Sequence, residues 1–163
     1  MTHASVSVKI GISRSTLYRH WPDVSEMRKD VFKRATIPPK MTPPTDGPLR
    51  TDLIWLLGIL VNALNETPWG HISPQVISAA ANNDGARDVI TQFMKERWAT
   101  VRAVFAAADA RGELAPDAAV EYLIQMAILV PYFRKLIAGL PIDHDWLDTH
   151  VHHICRLAQG RDA

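Results

Sequence analysis

The chain has 163 residues, 47% of them hydrophobic, with a formal charge of +1 and a single cysteine. That length and apolar content allow a sizeable core. A lone Cys155 rules out an internal disulfide framework and reads as a small apolar helix residue, and no run of about eighteen apolar residues marks a membrane span. No basic leader followed by an apolar stretch is present, so the expected location is cytoplasmic. The charge is unevenly spread: residues 1–50 carry nine Lys or Arg against four acids, and residues 51–163 carry nine against thirteen. A basic first third that includes Lys9, Arg14, Arg19, Arg28, Lys29, Lys33 and Arg34 suits phosphates, whereas the acidic remainder does not.

In chain order, Val6, Val8, Ile10 and Ile12 alternate with Ser5, Ser7, Lys9 and Gly11, a period that alone favours a strand. Gly11 then suits a sharp turn. Ser13 is a good N-cap for a helix through Arg14 to His20, with Leu17 and Trp21 one turn apart on an inward face. The outer face carries Arg14, Ser15, Thr16, Tyr18, Arg19 and His20. Arginine reaches guanine edges, hydroxyl groups and arginine grip phosphates, and a helix this short fits the major groove of double-stranded DNA.

The run GISRSTLYRHW, Gly11 to Trp21, resembles the turn and reading helix of the tetracycline-repressor (TetR) family. The resemblance implies an all-α fold: a helix-turn-helix DNA-binding domain followed by a helical domain that binds a small molecule and dimerises. It also makes Ala4 to Ile12 a frayed helix rather than a strand. Three positions depart from the family pattern. Ile10 stands where a small Ala is usual, Trp21 replaces Phe, and Val24 occupies a place commonly held by a phosphate-contacting Lys. The resemblance further implies a whole helix ahead of this motif, so the chain is expected to lack the first helix of the domain. Leu17, Trp21 and part of the next helix would then lose cover worth roughly 1.5–3 kcal/mol per large side chain.

Ser25 is positioned to cap a helix over Glu26 to Ala35 with Met27, Val31 and Phe32 on one face, which in the family connects the two domains. Five prolines between Ile37 and Pro48 forbid a helix across that stretch. The expected organisation is a partial DNA-binding domain with connector helix over 1–36, a proline-rich linker over 37–48 and a ligand-binding and dimerisation domain over 49–163.

From Leu49 onward, Leu53, Leu56, Leu57, Leu60 and Leu64 recur at helical spacing up to Pro68, with Trp55 and Ile59 widening the face. Ser73-Pro74 looks like an N-cap with proline at the first helical position, opening a short helix over Gln75 to Ala81. After Asn82-Asn83-Asp84-Gly85, a long helix carries Ile90, Phe93, Met94, Arg97, Trp98, Val101, Val104, Phe105 and Ala108, closed by Gly112. The segment from Asp117 to Ala138 is apolar on more than one face, and Pro131 predicts a kink just before Tyr132. Asp143 caps a final helix bearing Leu147, Val151, Ile154 and Ala158, ended by Gly160.

No P-loop, glycine-rich dinucleotide fingerprint, GxSxG elbow or CxxC pair is present, so nothing points to an enzyme or a cofactor. His150 and His153 share a helical face and could in principle hold zinc alongside His144 and His152, but solvated or interface histidines are the expected reading and no metal is expected. For an effector site the expected lining is Trp55, Trp69, His71, Phe93, Trp98, Tyr122, Met126 and Tyr132, aromatic surface with a few polar tips that suits an apolar or aromatic molecule. In the family the last two helices form a four-helix homodimer interface. Leu123, Ala127, Val130, Leu147, Val151, Ile154 and Ala158 are the residues expected there. The function expected is a ligand-responsive one-component regulator, a repressor, binding a palindromic operator. The alternatives are a truncated ligand-binding and dimerisation protein without DNA binding, and a small helical enzyme or carrier.

Overall fold

Thr2 and Ser5 decide the first element. In the computed structural model, which describes residues 2–36 and 42–160, the Thr2 hydroxyl accepts from the Ser5 N–H at 3.1 Å and the Ser5 hydroxyl accepts from the Thr2 N–H at 2.9 Å. This reciprocal cap opens helix α1 (His3–Ile10), and Gly11 at φ 70° closes it by donating its N–H to the Ser7 carbonyl. The strand-like alternation of Val6 to Ile12 therefore yields to its two ends. Residues 37–41 of the expected linker lie outside the described residues, as do the side chains of Arg28, Phe32, Lys33 and Arg34.

Contacts divide the chain into two units, Met1–Pro39 and Lys40–Ala163. In the first, helices α1, α2 (Arg14–His20) and α3 (Val24–Thr36) follow one another through short turns. Leu17 and Met27, each 2% exposed, are its buried apolar side chains among the described residues. Val31, expected beside Met27, is 44% exposed. Helix α3 begins at Val24 rather than after Ser25, because the Asp23 carboxylate accepts the Ser25 N–H at 2.7 Å and takes the capping part expected of Ser25.

The second unit consists of α4 (Leu49–Glu66), α5 (Pro68–Asn82), α6 (Asp84–Ala110), α7 (Val120–Tyr132), a π-helical turn (Phe133–Ile137) and α8 (His144–Ala158). Every regular element among the described residues is helical. The core is built from Leu49, Leu53 and Leu57 of α4, Val104 and Phe105 of α6, Leu123 and Ile124 of α7, and Val151 and Ile154 of α8. Asn83 caps α6 by accepting the Ala86 N–H, and Asp143 caps α8 by accepting the Trp146 N–H.

Two boundaries differ from the sequence reading. Helix α5 starts at Pro68, six residues before Pro74. Thr67 is its cap and accepts the Trp69 N–H at 3.2 Å, so Pro68 holds the first-turn place expected of Pro74, and Pro74 lies inside the helix. Gly70 permits the close corner with α4, since a Cβ there would stand 2.0 Å from the Leu64 carbonyl oxygen. Farther on, the helix expected from Asp117 begins only at Val120. Beyond Pro131 it widens into the π-helical turn, where Ala138 donates to the Phe133 carbonyl five residues back.

Candidate nucleic-acid interface and effector site

Helix α2 holds its place through a few polar ties. The Ser13 hydroxyl accepts the Thr16 N–H at 3.2 Å and lies 2.9 Å from the hydroxyls of Ser15 and Thr16. On the inner side Leu17 is buried. The Trp21 indole N–H donates to the Asp30 carboxylate at 2.9 Å, which fastens the end of α2 to α3. His3 is 4% exposed; its Nε2–H donates to the Trp21 carbonyl at 2.8 Å and its ring lies 4.2 Å from that of Tyr18. His3 and Asp30 both brace this helix, and the sequence reading missed them. The only sequence signal for Asp30 was its place on the helix after Trp21, and none existed for His3.

What remains on the outside of α2 is polar and basic. Ser13, Arg14, Ser15, Tyr18, Arg19 and His20 are exposed and Thr16 is half-buried. This convex face offers two guanidinium groups, a phenol, an imidazole and three hydroxyls on one short helix, a composition suited to phosphates and base edges.

In the second unit, the structure brings together part of the expected effector lining. Trp69 is 4% exposed, donates its indole N–H to the Tyr132 hydroxyl at 2.9 Å and packs on Phe93 with ring centroids 5.0 Å apart. The Arg97 guanidinium lies 5.0 Å from the centre of the Phe93 ring. Burial draws Arg97 below the usual guanidinium range and pushes the Tyr132 phenol up, with the Trp69 bond opposing the latter. Two polar atoms in the same helices are buried without a hydrogen-bond partner: the hydroxyl of fully buried Ser73 on α5 and the indole N–H of Trp98 on α6. Met126 is half-buried. Trp55, His71 and Tyr122 are exposed and do not join this cluster.

The comparisons with known proteins decide the family. The model of the tetracyclin repressor-like C-terminal domain matches residues 43–154, most of the chain. The chain belongs to the tetracycline-repressor family. It is 27% identical over 154 residues to the uncharacterized HTH-type transcriptional regulators Mb1581 of Mycobacterium bovis and Rv1556 of Mycobacterium tuberculosis, covering 93% of this chain and 74% of theirs. It is also similar to the solved structure of the TetR family transcription regulator SCO0332, with a TM-score of 0.69, 25% identity and coverage of 94% and 85% of the two chains. The chain is thus an all-α DNA-binding transcriptional regulator rather than an enzyme.

In this TetR regulator most of the residues expected at the dimer interface lie inside the single chain. Leu123, Ala127, Leu147, Val151, Ile154 and Ala158 are all below 5% exposed because they pack into the chain's own core. Only Val130 of that set is half-exposed. The outward stripe of α7 is instead Tyr122, Met126, Leu129 and Phe133, and that of α8 is Trp146, His150, His153 and Leu157, both at spacings of four, three and four. Tyr122, Leu129, Phe133 and Leu157 are 57%, 44%, 61% and 50% exposed, so two amphipathic helices leave large apolar side chains in water.

Among the described residues no group of His, Cys, Asp and Glu could hold a metal ion, and no helix is long and apolar enough to cross a membrane. Cys155 is buried, its thiol pushed up to about 11 by burial. It borders a cleft of about 410 Å³ lined also by Arg50, His152, Arg156 and Gln159, built from helices other than those of the aromatic cluster.

Proposed function

We propose that the regulator is a ligand-responsive, one-component repressor acting in the cytoplasm as a homodimer on a palindromic operator. The organisation read from the sequence goes with it: a reading domain over 1–36, a proline-rich linker over 37–48 and a ligand-binding and dimerisation domain over 49–163. The observation that carries the reading is α2, where Leu17 alone is buried and the polar face of Ser13, Arg14, Ser15, Thr16, Tyr18, Arg19 and His20 is turned outward. Two such helices related by a twofold axis would address successive major grooves.

The dimer would form through the outward stripes of α7 and α8, burying Tyr122, Leu129, Phe133 and Leu157 from both copies. The effector would enter the cluster of Trp69, Phe93 and Tyr132, where aromatic faces favour an apolar or aromatic molecule. Bound there, it would favour dimers whose reading helices are wrongly spaced, and release follows only to the extent that the two states differ in effector affinity. A mobility-shift titration on DNA upstream of the regulator's own coding sequence tests the reading. Retardation of that DNA and not of a scrambled duplex supports it, and equal behaviour of the two duplexes contradicts it.

A further inference from the structure

We propose that the dimer is pH-gated by His150 and His153, two imidazoles one helical turn apart on the outward stripe of α8, so that acidification separates the protomers. The inference rests on the homodimer reading given above and adds its regulation.

His150 is the unusual group of this stripe. Its ring stacks on Trp146 at 4.8 Å and 12°, and its Nε2 is shielded from water and makes no well-formed hydrogen bond, with the Ala127 and Met126 carbonyls acting on the ring. Such a nitrogen is tolerable on a neutral ring and costly on an imidazolium. Burial accordingly draws His150 below the usual imidazole range and the nearby His153 pushes the same way, while the backbone carbonyls of Ala127 and Met126 oppose.

Among the described residues no carboxylate acts on His150. Helix α8 packs on α4 and α7. From α7 it is those two carbonyls that face His150, and the titratable group acting on it is His153 of its own helix. Arg134, from the π-helical turn, lies 5.0 Å from the Trp146 ring and adds positive charge to this side. Of the carboxylates of α8, Asp148 pairs with Arg50 of α4 and Asp145 is fully exposed to water.

A second copy seated on this stripe would bury His150 further and remove water from His153. The dimer then binds fewer protons than two separate protomers. By linkage, the dimer is favoured through the usual imidazole range and lost as pH falls below it, where the His150 of a separate protomer takes up its proton. Each proton taken up on dissociation weakens association by about tenfold per pH unit, and symmetry supplies every histidine twice.

The test is the dissociation constant of the full chain by sedimentation equilibrium between about pH 7.5 and about pH 5, for the wild type, His150→Phe and His153→Gln, with helical circular dichroism as a control for folding. A dimer at least about tenfold weaker at the lower pH, with the dependence reduced in both His150→Phe and His153→Gln, supports the gate. A wild-type dimer of equal strength at both values, or an unchanged dependence in either folded variant, overturns it and leaves the dimer standing. A monomer at every pH overturns the dimer reading and the gate together.

Discussion

The indole N–H of Trp69 and the hydroxyl of Tyr132 meet at 2.9 Å across 63 residues of sequence and tie α5 to α7. Trp69 is 4% exposed, so this bond satisfies a donor held largely away from water.

Replacing Tyr132 by Phe should therefore cost about 1–3 kcal/mol, the penalty for stranding a buried donor. Denaturant unfolding of the wild type, Tyr132→Phe, Trp69→Phe and the double variant checks it. The double variant should be less destabilised than the sum of the singles.

A second prediction concerns the acids around the start of α4. Burial would raise Glu113, but the Leu49 N–H at 2.8 Å and the Arg111 guanidinium at 2.6 Å outweigh it and hold the carboxylate low. Asp52, 1% exposed, is pushed up by burial against the opposing Arg111. The signs are opposite. Glu113 contributes stability above its unfolded range that is lost as pH falls, whereas Asp52 costs stability above its own raised range and recovers it on acidification. Glu113→Gln should lose about 1–2 kcal/mol at neutral pH, a deficit that shrinks as pH drops below about 4, while Asp52→Asn should show no such shrinking deficit. Denaturation midpoints across pH decide it.

The outward and inward faces of the last two helices should respond differently to charge. Leu129→Glu and Phe133→Glu are expected to give folded monomers, since both side chains are exposed in the single chain. Val151→Glu, at a core position, should unfold the domain, because an unpaired buried charge costs more than about 3 kcal/mol. Light scattering combined with circular dichroism separates the two outcomes.

Cys155 should be inert in the folded protein. A thiol pushed up to about 11 and 7% exposed presents almost no thiolate near pH 8, so a disulfide reagent should modify it only after denaturant is added.

The parts of this fold legible in the sequence were those whose ends carry caps. Asp143 marks the start of α8 and Gly112 the end of α6 because each serves a terminus directly, and Ser13 does the same for α2, whereas Asn83, read as part of a break, is the cap of α6. Ser73-Pro74 misled because Thr67-Pro68 offers the same chemistry one turn and a half earlier, and a proline inside a helix loses one hydrogen bond without ending it. The faces of α7 were not legible. Both are apolar, and periodicity cannot say which one a chain buries within itself and which it leaves outward. On α8 the buried stripe of Leu147, Val151 and Ile154 is the more hydrophobic one, and the outward stripe hid among aromatic and histidine residues. Of the effector lining, Trp69, Phe93 and Tyr132 converge because they sit on three helices that meet, a relation that spacing along one helix cannot reveal.

The central claim is that α2 reads DNA, and the most direct measurement is the affinity of the wild type, Arg14→Ala, Tyr18→Ala and Arg19→Ala for upstream and scrambled duplexes across a range of salt. A residue that reads a base should lose about 1–3 kcal/mol on the upstream duplex alone, and one that holds a phosphate should weaken both duplexes and lower the salt slope by about one. The account predicts that at least one arginine shows the first pattern. Affinities that are the same for both duplexes and unmoved by all three substitutions would remove α2 from the interface and contradict it.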